Sequence, residues 1–286
     1  SKDGAFKIIE CLYNLKDYTG LKEKAKSYFK ANPKDNSRFP YLYFYMAEAD
    51  YYLDNFTDAI DEYSKVLLIT SDDKIEGLSR LGMGWSYLKL KRYKEAEDVF
   101  TGIKDGTLEK ASQNAFLLGK AALMIETKRF NEAKNIYDEL LNKSTDQLVL
   151  IQAYIGKADA LYSMSEYKEA IRVYKEAQGK LVPVGLPGEL LDKMHYGLSW
   201  ALLKEGEFKD AIDEFRKIAQ NTEDRIVKIS ALCQIGDAYQ DSGDYRKAQE
   251  TYDAILKDYP DSLYSDYVQY QLGVTLLKVS NYDGAI

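Results

Sequence analysis

An aromatic residue returns along this chain at a nearly fixed step. It stands at Tyr18, Phe56, Tyr93, Phe130, Tyr167, Phe208, Tyr245 and Tyr282, with intervals of 38, 37, 37, 37, 41, 37 and 37 residues. Self-similarity at such a period marks a repeat array, in which each unit buries its apolar face against its neighbours. Three residues after each aromatic runs a second column: Leu21, Ala59, Ala96, Ala133, Ala170, Ala211, Ala248 and Ala285. Seven residues after it runs a third: Ala25, Tyr63, Phe100, Tyr137, Tyr174, Phe215 and Tyr252. Offsets of 0, 3 and 7 fall on one face of a helix. Twelve residues before each member of the second column stands another small residue, namely Ala47, Gly84, Ala121, Ala158, Ser199, Gly236 or Gly273, with Ile9 as the exception in the first unit. Small residues on two helices joined by a tight turn let the pair approach closely while the rings fill the space on either side.

This pattern resembles the tetratricopeptide repeat, whose unit is a helix A, a short turn and a helix B. The family's alanine followed four residues later by an aromatic is matched at Ala59/Tyr63, Ala96/Phe100, Ala133/Tyr137, Ala170/Tyr174, Ala211/Phe215 and Ala248/Tyr252. Its proline after helix B is matched at Pro33 and Pro260, where proline stops a helix. The unit is longer than the family's usual length of about 34 residues. The resemblance implies an all-α, right-handed superhelical solenoid of about seven full repeats and a truncated eighth. Its units lie near 1–33, 34–71, 72–108, 109–145, 146–183, 184–223, 224–260 and 261–286 of one continuous array. A narrower likeness, in Asp258-Tyr259-Pro260-Asp261-Ser262-Leu263-Tyr264 followed by Tyr270-Gln271-Leu272-Gly273, is to bacterial envelope members of the family. The periplasmic coordinator of the Tol-Pal system and the lipoprotein of the outer-membrane barrel assembly machinery are of this type. It implies the periplasm or cell envelope, with the cytoplasm as the alternative.

The formal net charge is −7, and no basic stripe is present to neutralise phosphates, so nucleic acid is not the expected partner. No apolar run reaches the length of a membrane span, and no signal-peptide pattern starts at Ser1. The chain opens inside a helix A and stops six residues into a helix B. It is therefore expected to be a piece of a longer array whose uncapped ends offer a route to self-association. Cys11 and Cys233 fall in the first and seventh units, too far apart for an internal disulfide, and Cys233 sits in an apolar column with Phe44, Leu81, Leu118, Ile155, Tyr196 and Tyr270.

Little chemistry is encoded. One histidine cannot make a histidine-rich metal site, and His195 falls in a structural helix column. Gly82-Met83-Gly84 looks like a phosphate loop only if the period is ignored; Gly82, Gly119, Gly156 and Gly197 form a column that marks helix packing. Glu95, Glu97 and Glu169 belong to a solvated helix face. The expectation is no catalytic residue, no cofactor, no metal and no enzymatic activity.

Binding is the better prospect. Helix A lines the concave groove in the family, and the position after its small residue is expected to face it. That column reads Glu48, Trp85, Ala122, Asp159, Trp200, Asp237 and Val274, and it holds both tryptophans of the chain. They are either binding anchors or fillers between neighbouring helices A. Tyr51 and Tyr162 join from the next column along. The candidate partner-binding residues are thus Trp85, Trp200, Glu48, Asp159, Asp237, Tyr51 and Tyr162. The Lys, Arg and Asn clamp by which chaperone-binding members hold a C-terminal carboxylate has no counterpart here. An aromatic and acidic groove suits a peptide or protein segment with apolar side chains and some positive charge. The expected role is an adaptor or scaffold. A self-assembling array, or a regulatory region whose catalytic domain lies elsewhere, are the alternatives. Asp17, Asn55, Asp244 and Asn281 are expected helix caps. The Pro/Gly-rich stretch from Gly179 to Gly188, with Val182, Val184 and Leu186, is expected as a protruding loop.

Overall fold

The computed structural model describes residues 2–181 and 187–279. Among them the secondary structure is entirely helical. The chain divides into two compact units, Ser1–Ile136 and Tyr137–Ile286, and the division falls within α8 (Phe130–Lys143). The first unit holds α1 (Lys2–Asn14), α2 (Tyr18–Ala31), α3 (Phe39–Tyr52), α4 (Phe56–Ile69), α5 (Asp73–Lys89), α6 (Tyr93–Thr101) and α7 (Lys110–Glu126). The second holds α9 (Gln147–Ser163), α10 (Tyr167–Leu181), α11 (Gly188–Lys204), α12 (Phe208–Asn221), α13 (Arg225–Asp241), α14 (Tyr245–Asp258) and α15 (Ser265–Lys278). Every even-numbered helix from α2 to α14 begins on the recurring aromatic residue. Odd-numbered helices are therefore the A members of each pair and even-numbered helices the B members, as the spacing requires.

One turn is used seven times. Two residues before each recurring aromatic, the backbone enters the left-handed region: Lys16, Asp54, Lys91, Lys128, Ser165, Gly206 and Gly243 all have φ between 58° and 82°. The next amide then reaches back five residues, as in Asp17 N to Leu12 O, Arg92 N to Tyr87 O and Asp244 N to Tyr239 O. This is the Schellman closure of a helix C-terminus. Only Gly206 and Gly243 adopt it without a Cβ penalty. At the five other turns tertiary packing holds a side chain in a conformation that costs roughly 1–2 kcal/mol.

Caps follow local chemistry. Asp17 accepts from Gly20 N and Asp244 from Lys247 N, as expected. Asn55 does not cap α4, which corrects its expected role. Its Nδ2 donates instead to Asp50 Oδ1 at 3.2 Å, because the buried Asp50 carboxylate, paired also with Lys22, needs donors. Asn281 lies outside the described residues. Asp72, Asp146 and Asp224, which the repeat pattern did not single out, cap α5, α9 and α13 through two backbone amides each. The expected loop does not extend over the whole of Gly179–Gly188. Gly179, Lys180 and Leu181 continue α10, where Lys180 bonds Glu176 Oε1 at 2.6 Å one turn back, and α11 starts at Gly188. Val182, Val184 and Leu186 lie outside the described residues.

The core is built on the third aromatic column. The Phe100 ring of α6 lies between two helices A: a Cβ on Gly84 of α5 would stand 2.1 Å from its Cε1, and one on Gly119 of α7 would stand 2.9 Å from its Cζ. Tyr63 is likewise buried against Gly82, Tyr137 against Gly156, Tyr174 against Gly197 and Tyr252 against Gly236. The two small-residue columns of helix A are thus the seats of these rings. Cys233 is a buried thiol, its pKa pushed by burial up to about 12, while Cys11 is exposed.

Two alanine substitutions at helical glycines should therefore act in opposite directions. A Cβ on Gly156 would lie 2.2 Å from Tyr137 Cζ, whereas Gly179 has nothing within 4 Å. Gly156→Ala gains up to ~1 kcal/mol of helix propensity but meets an overpacking cost of roughly 1–3 kcal/mol. It should lower the urea midpoint followed by circular dichroism, whereas Gly179→Ala should raise it by the equivalent of ~0.5–1 kcal/mol.

Candidate partner-binding site

Helix A exposes one backbone position to the hydroxyl end of each clamped ring. It is the position after the small residue, fifteen residues before the ring in sequence. Where it is acidic, the ring is a tyrosine that donates to it. Tyr63 donates to Glu48, Tyr174 donates to Asp159, and Tyr252 donates to Asp237 at 2.7 Å. Where it is tryptophan, the ring is a phenylalanine: Trp85 stands fifteen residues before Phe100, and Trp200 meets Phe215 edge-on, with centroids 6.1 Å apart at 88°. A phenol beside an indole would have no acceptor, while a carboxylate beside a phenylalanine would have no donor. In five of the six repeats the pairing was readable from the sequence as an acid-to-tyrosine and tryptophan-to-phenylalanine correspondence at a spacing of fifteen, with Ala122 and Tyr137 as the exception, but the spacing acquires meaning only once the turn geometry is known.

A second tyrosine joins two of these acids from a neighbouring helix A. Tyr13 of α1 donates to Glu48 at 3.1 Å, and Tyr267 of α15 donates to Asp237 at 2.7 Å. Asp159 has instead Lys193 Nζ at 3.7 Å. Burial raises the carboxyl pKa of Glu48, Asp159 and Asp237 above the ordinary range, and the phenol hydrogen bonds offset only part of that. The same burial and the facing carboxylate push the tyrosine partners up. Tyr13, Tyr63, Tyr174, Tyr252 and Tyr267 are thus members of the arrangement that the binding column alone did not reveal.

The other candidates divide by environment. Trp85 Nε1 donates to the Ala115 carbonyl of α7 at 3.2 Å, so this ring bridges two successive helices A. Trp200 remains 40% exposed. Tyr51 and Tyr162 occupy equivalent places: each lies edge-on to the first aromatic of the following helix B, Tyr51 to Phe56 at 5.5 Å and Tyr162 to Tyr167 at 5.2 Å. Burial pushes Tyr51 up to about 12. In the first unit Glu48, Tyr51 and Trp85 come together around one cleft of about 540 Å³, with Tyr13, Tyr52 and Tyr63. Asp159, Tyr162, Trp200 and Asp237 belong to the second unit.

His195 is not isolated. Its Nδ1 lies 2.6 Å from Glu214 Oε2, and Gln178 Nε2 donates to the same carboxylate at 2.9 Å. Burial alone would raise Glu214, but hydrogen bonds from His195 and Lys217 outweigh it and hold the carboxyl below its usual value. The cluster ties α10, α11 and α12 together. Among the described residues no three His, Cys, Asp or Glu side chains converge to hold a metal ion. No helix among them is long and apolar enough to cross a membrane.

The raised acids predict an inverted pH dependence. The folded pKa of Asp237 lies above its ordinary 3.8, so its favourable contribution is complete below that value and is lost as pH rises through the folded pKa. Asp237→Asn keeps an acceptor oxygen for Tyr252 and removes the titration. Urea midpoints measured at pH 4 and pH 7 should show the variant gaining on the parent at the higher pH; a variant-minus-parent difference that stays the same or shifts in the parent's favour at pH 7 would contradict this assignment.

Residues 155–225 and 230–262 match family models described as tetratricopeptide repeat. No curated protein matches the chain in sequence. Solved structures share the fold at low identity. One is a tetratricopeptide repeat protein from Parabacteroides merdae, at 13% identity and TM-score 0.64, covering 96% of this chain and 98% of that one. A second is a signal transduction ATPase with numerous domains and a tetratricopeptide repeat sensor, from Pyrococcus horikoshii. It aligns at 14% identity and TM-score 0.73, covering all of this chain and 46% of that one. A third is a Rap protein complexed with competence and sporulation factor, at 14% identity and TM-score 0.58, covering 99% and 94%. Residues 155–225 and 230–262 are tetratricopeptide repeats, and the described helix pairs around them have the same helix-turn-helix repeat fold.

Proposed function

We propose that this chain is a non-catalytic adaptor that binds a segment of another protein along its A helices, within an assembly of the bacterial envelope. The observation that carries the binding role is Trp200. It lies in the same helix A column as the half-buried Glu48, Asp159 and Asp237, yet it stays 40% exposed against Phe215. An indole is a strong anchor in protein interfaces, since it offers a large rigid surface and one donor. The acids of the column favour a partner with positive charge. The Rap neighbour, solved with its bound factor, is an instance of a ligand taken up by this fold. The envelope placement rests on the Asp258–Tyr264 join alone. A second reading, a regulatory region of a larger protein, draws on the sensor role that the repeats have in the Pyrococcus ATPase.

The test begins with photo-crosslinking from position 200 in the native organism, identification of the captured protein, and calorimetry with that purified partner. Trp200→Ala should weaken binding by about tenfold or more. Arg246→Ala, which removes an exposed helix B side chain paired with Glu250, should leave affinity within about twofold. Equal affinity for the parent and Trp200→Ala would overturn the reading.

A further inference from the structure

The cleft of the first unit carries a carboxylate that no cation among the described residues pairs with. Its walls include Tyr13, Tyr51, Tyr52, Tyr63 and Trp85, and the Glu48 carboxylate stands among them. Both hydrogen-bond donors to Glu48 are phenols, which satisfy its lone pairs without neutralising it. Among the described residues no lysine or arginine forms an ion pair with it. Other carboxylates differ: Asp50, on the same helix, is paired with Lys22, and Asp159, at the equivalent column position in the second unit, has Lys193. A desolvated carboxylate among aromatic faces attracts a cation twice, through the charge and through the ring quadrupoles. A guanidinium fits such a place better than an ammonium. It is more weakly hydrated, it stacks on rings, and it keeps donors for both carboxylate oxygens. The volume of about 540 Å³ admits the arginine stem together with an adjoining apolar side chain. Burial pushes the Glu48 carboxyl up, and an incoming cation would act against that shift.

We propose that this cleft is an arginine-reading pocket: it receives the guanidinium of an arginine in the partner segment, with Glu48 as the ionic acceptor and the tyrosines and Trp85 as its walls. The proposal rests on the adaptor reading above and specifies what the partner must carry.

The probe is an acetylated, amidated pentapeptide with a central arginine flanked by alanine and leucine, set beside the same peptide with neutral, isosteric citrulline. Binding to the whole chain is read from Trp85 emission in a Trp200→Phe background. The arginine peptide should give a saturable change. Citrulline, or Glu48→Gln, should weaken it by about tenfold or more, the scale of a lost charge-assisted bond. Gln keeps an acceptor for Tyr13 and Tyr63. A second variant, Tyr52→Ala, removes an exposed wall residue and should weaken binding severalfold with unchanged circular dichroism. No saturable change up to millimolar peptide, equal binding of citrulline, or undiminished binding by Glu48→Gln would each overturn the pocket. Those outcomes leave the adaptor reading untouched, because it is tested separately at Trp200.

Discussion

From Tyr63 to Tyr252, the repeats depend on how one aromatic ring is seated between helices. The ring leaves helix B and is received by small residues of helix A. At Phe100 both seats are visible, Gly84 before it and Gly119 after it. Removing a Cβ at those points brings backbones close enough for the ring to fill the whole gap, so dispersion contacts replace what would otherwise be a void. Where the ring is missing the volume is supplied from the other side. Ala25 takes the ring position in the first repeat, and Tyr45 stands where the next four repeats have glycine; both belong to the same core cluster.

The ring also fixes the polarity of the surface beside it. A tyrosine hydroxyl reaching the edge of the helix pair needs an acceptor, and helix A supplies Glu48, Asp159 or Asp237. A phenylalanine needs none, and there helix A carries Trp85 or Trp200. The column suited to binding is therefore also a packing column. The same side chains that complete the core decide which surfaces are acidic and which are aromatic. In the five repeats where the helix A position is acidic or tryptophan, the surface thus varies together with one oxygen on helix B; the Ala122/Tyr137 repeat stands outside that correspondence.

The turns show the same dominance of packing over local preference. Lys16, Asp54, Lys91, Lys128 and Ser165 adopt a conformation that glycine accepts at no cost, at one repeated place. Nothing in a lysine asks for that backbone. The closure of the turn and the seating of the rings around it impose it.

Periodicity by itself determined the helix pairs, the start of each helix B and the identity of the ring and its seats, because a fixed step on a 3.6-residue helix leaves few alternatives. It also marked Glu48, Trp85, Asp159, Trp200 and Asp237 as one column. Their environments were decided only in three dimensions. Trp85 reaches the Ala115 carbonyl thirty residues on, Trp200 stays open, and Glu48 gathers Tyr13 from another helix A. Asn55 looked like a cap in sequence and serves Asp50 instead, and Gly179 looked like loop and is helix. In each case the deciding partner lies on another element or the decision rests on the absence of a neighbour, and neither is written in the residues next along the chain.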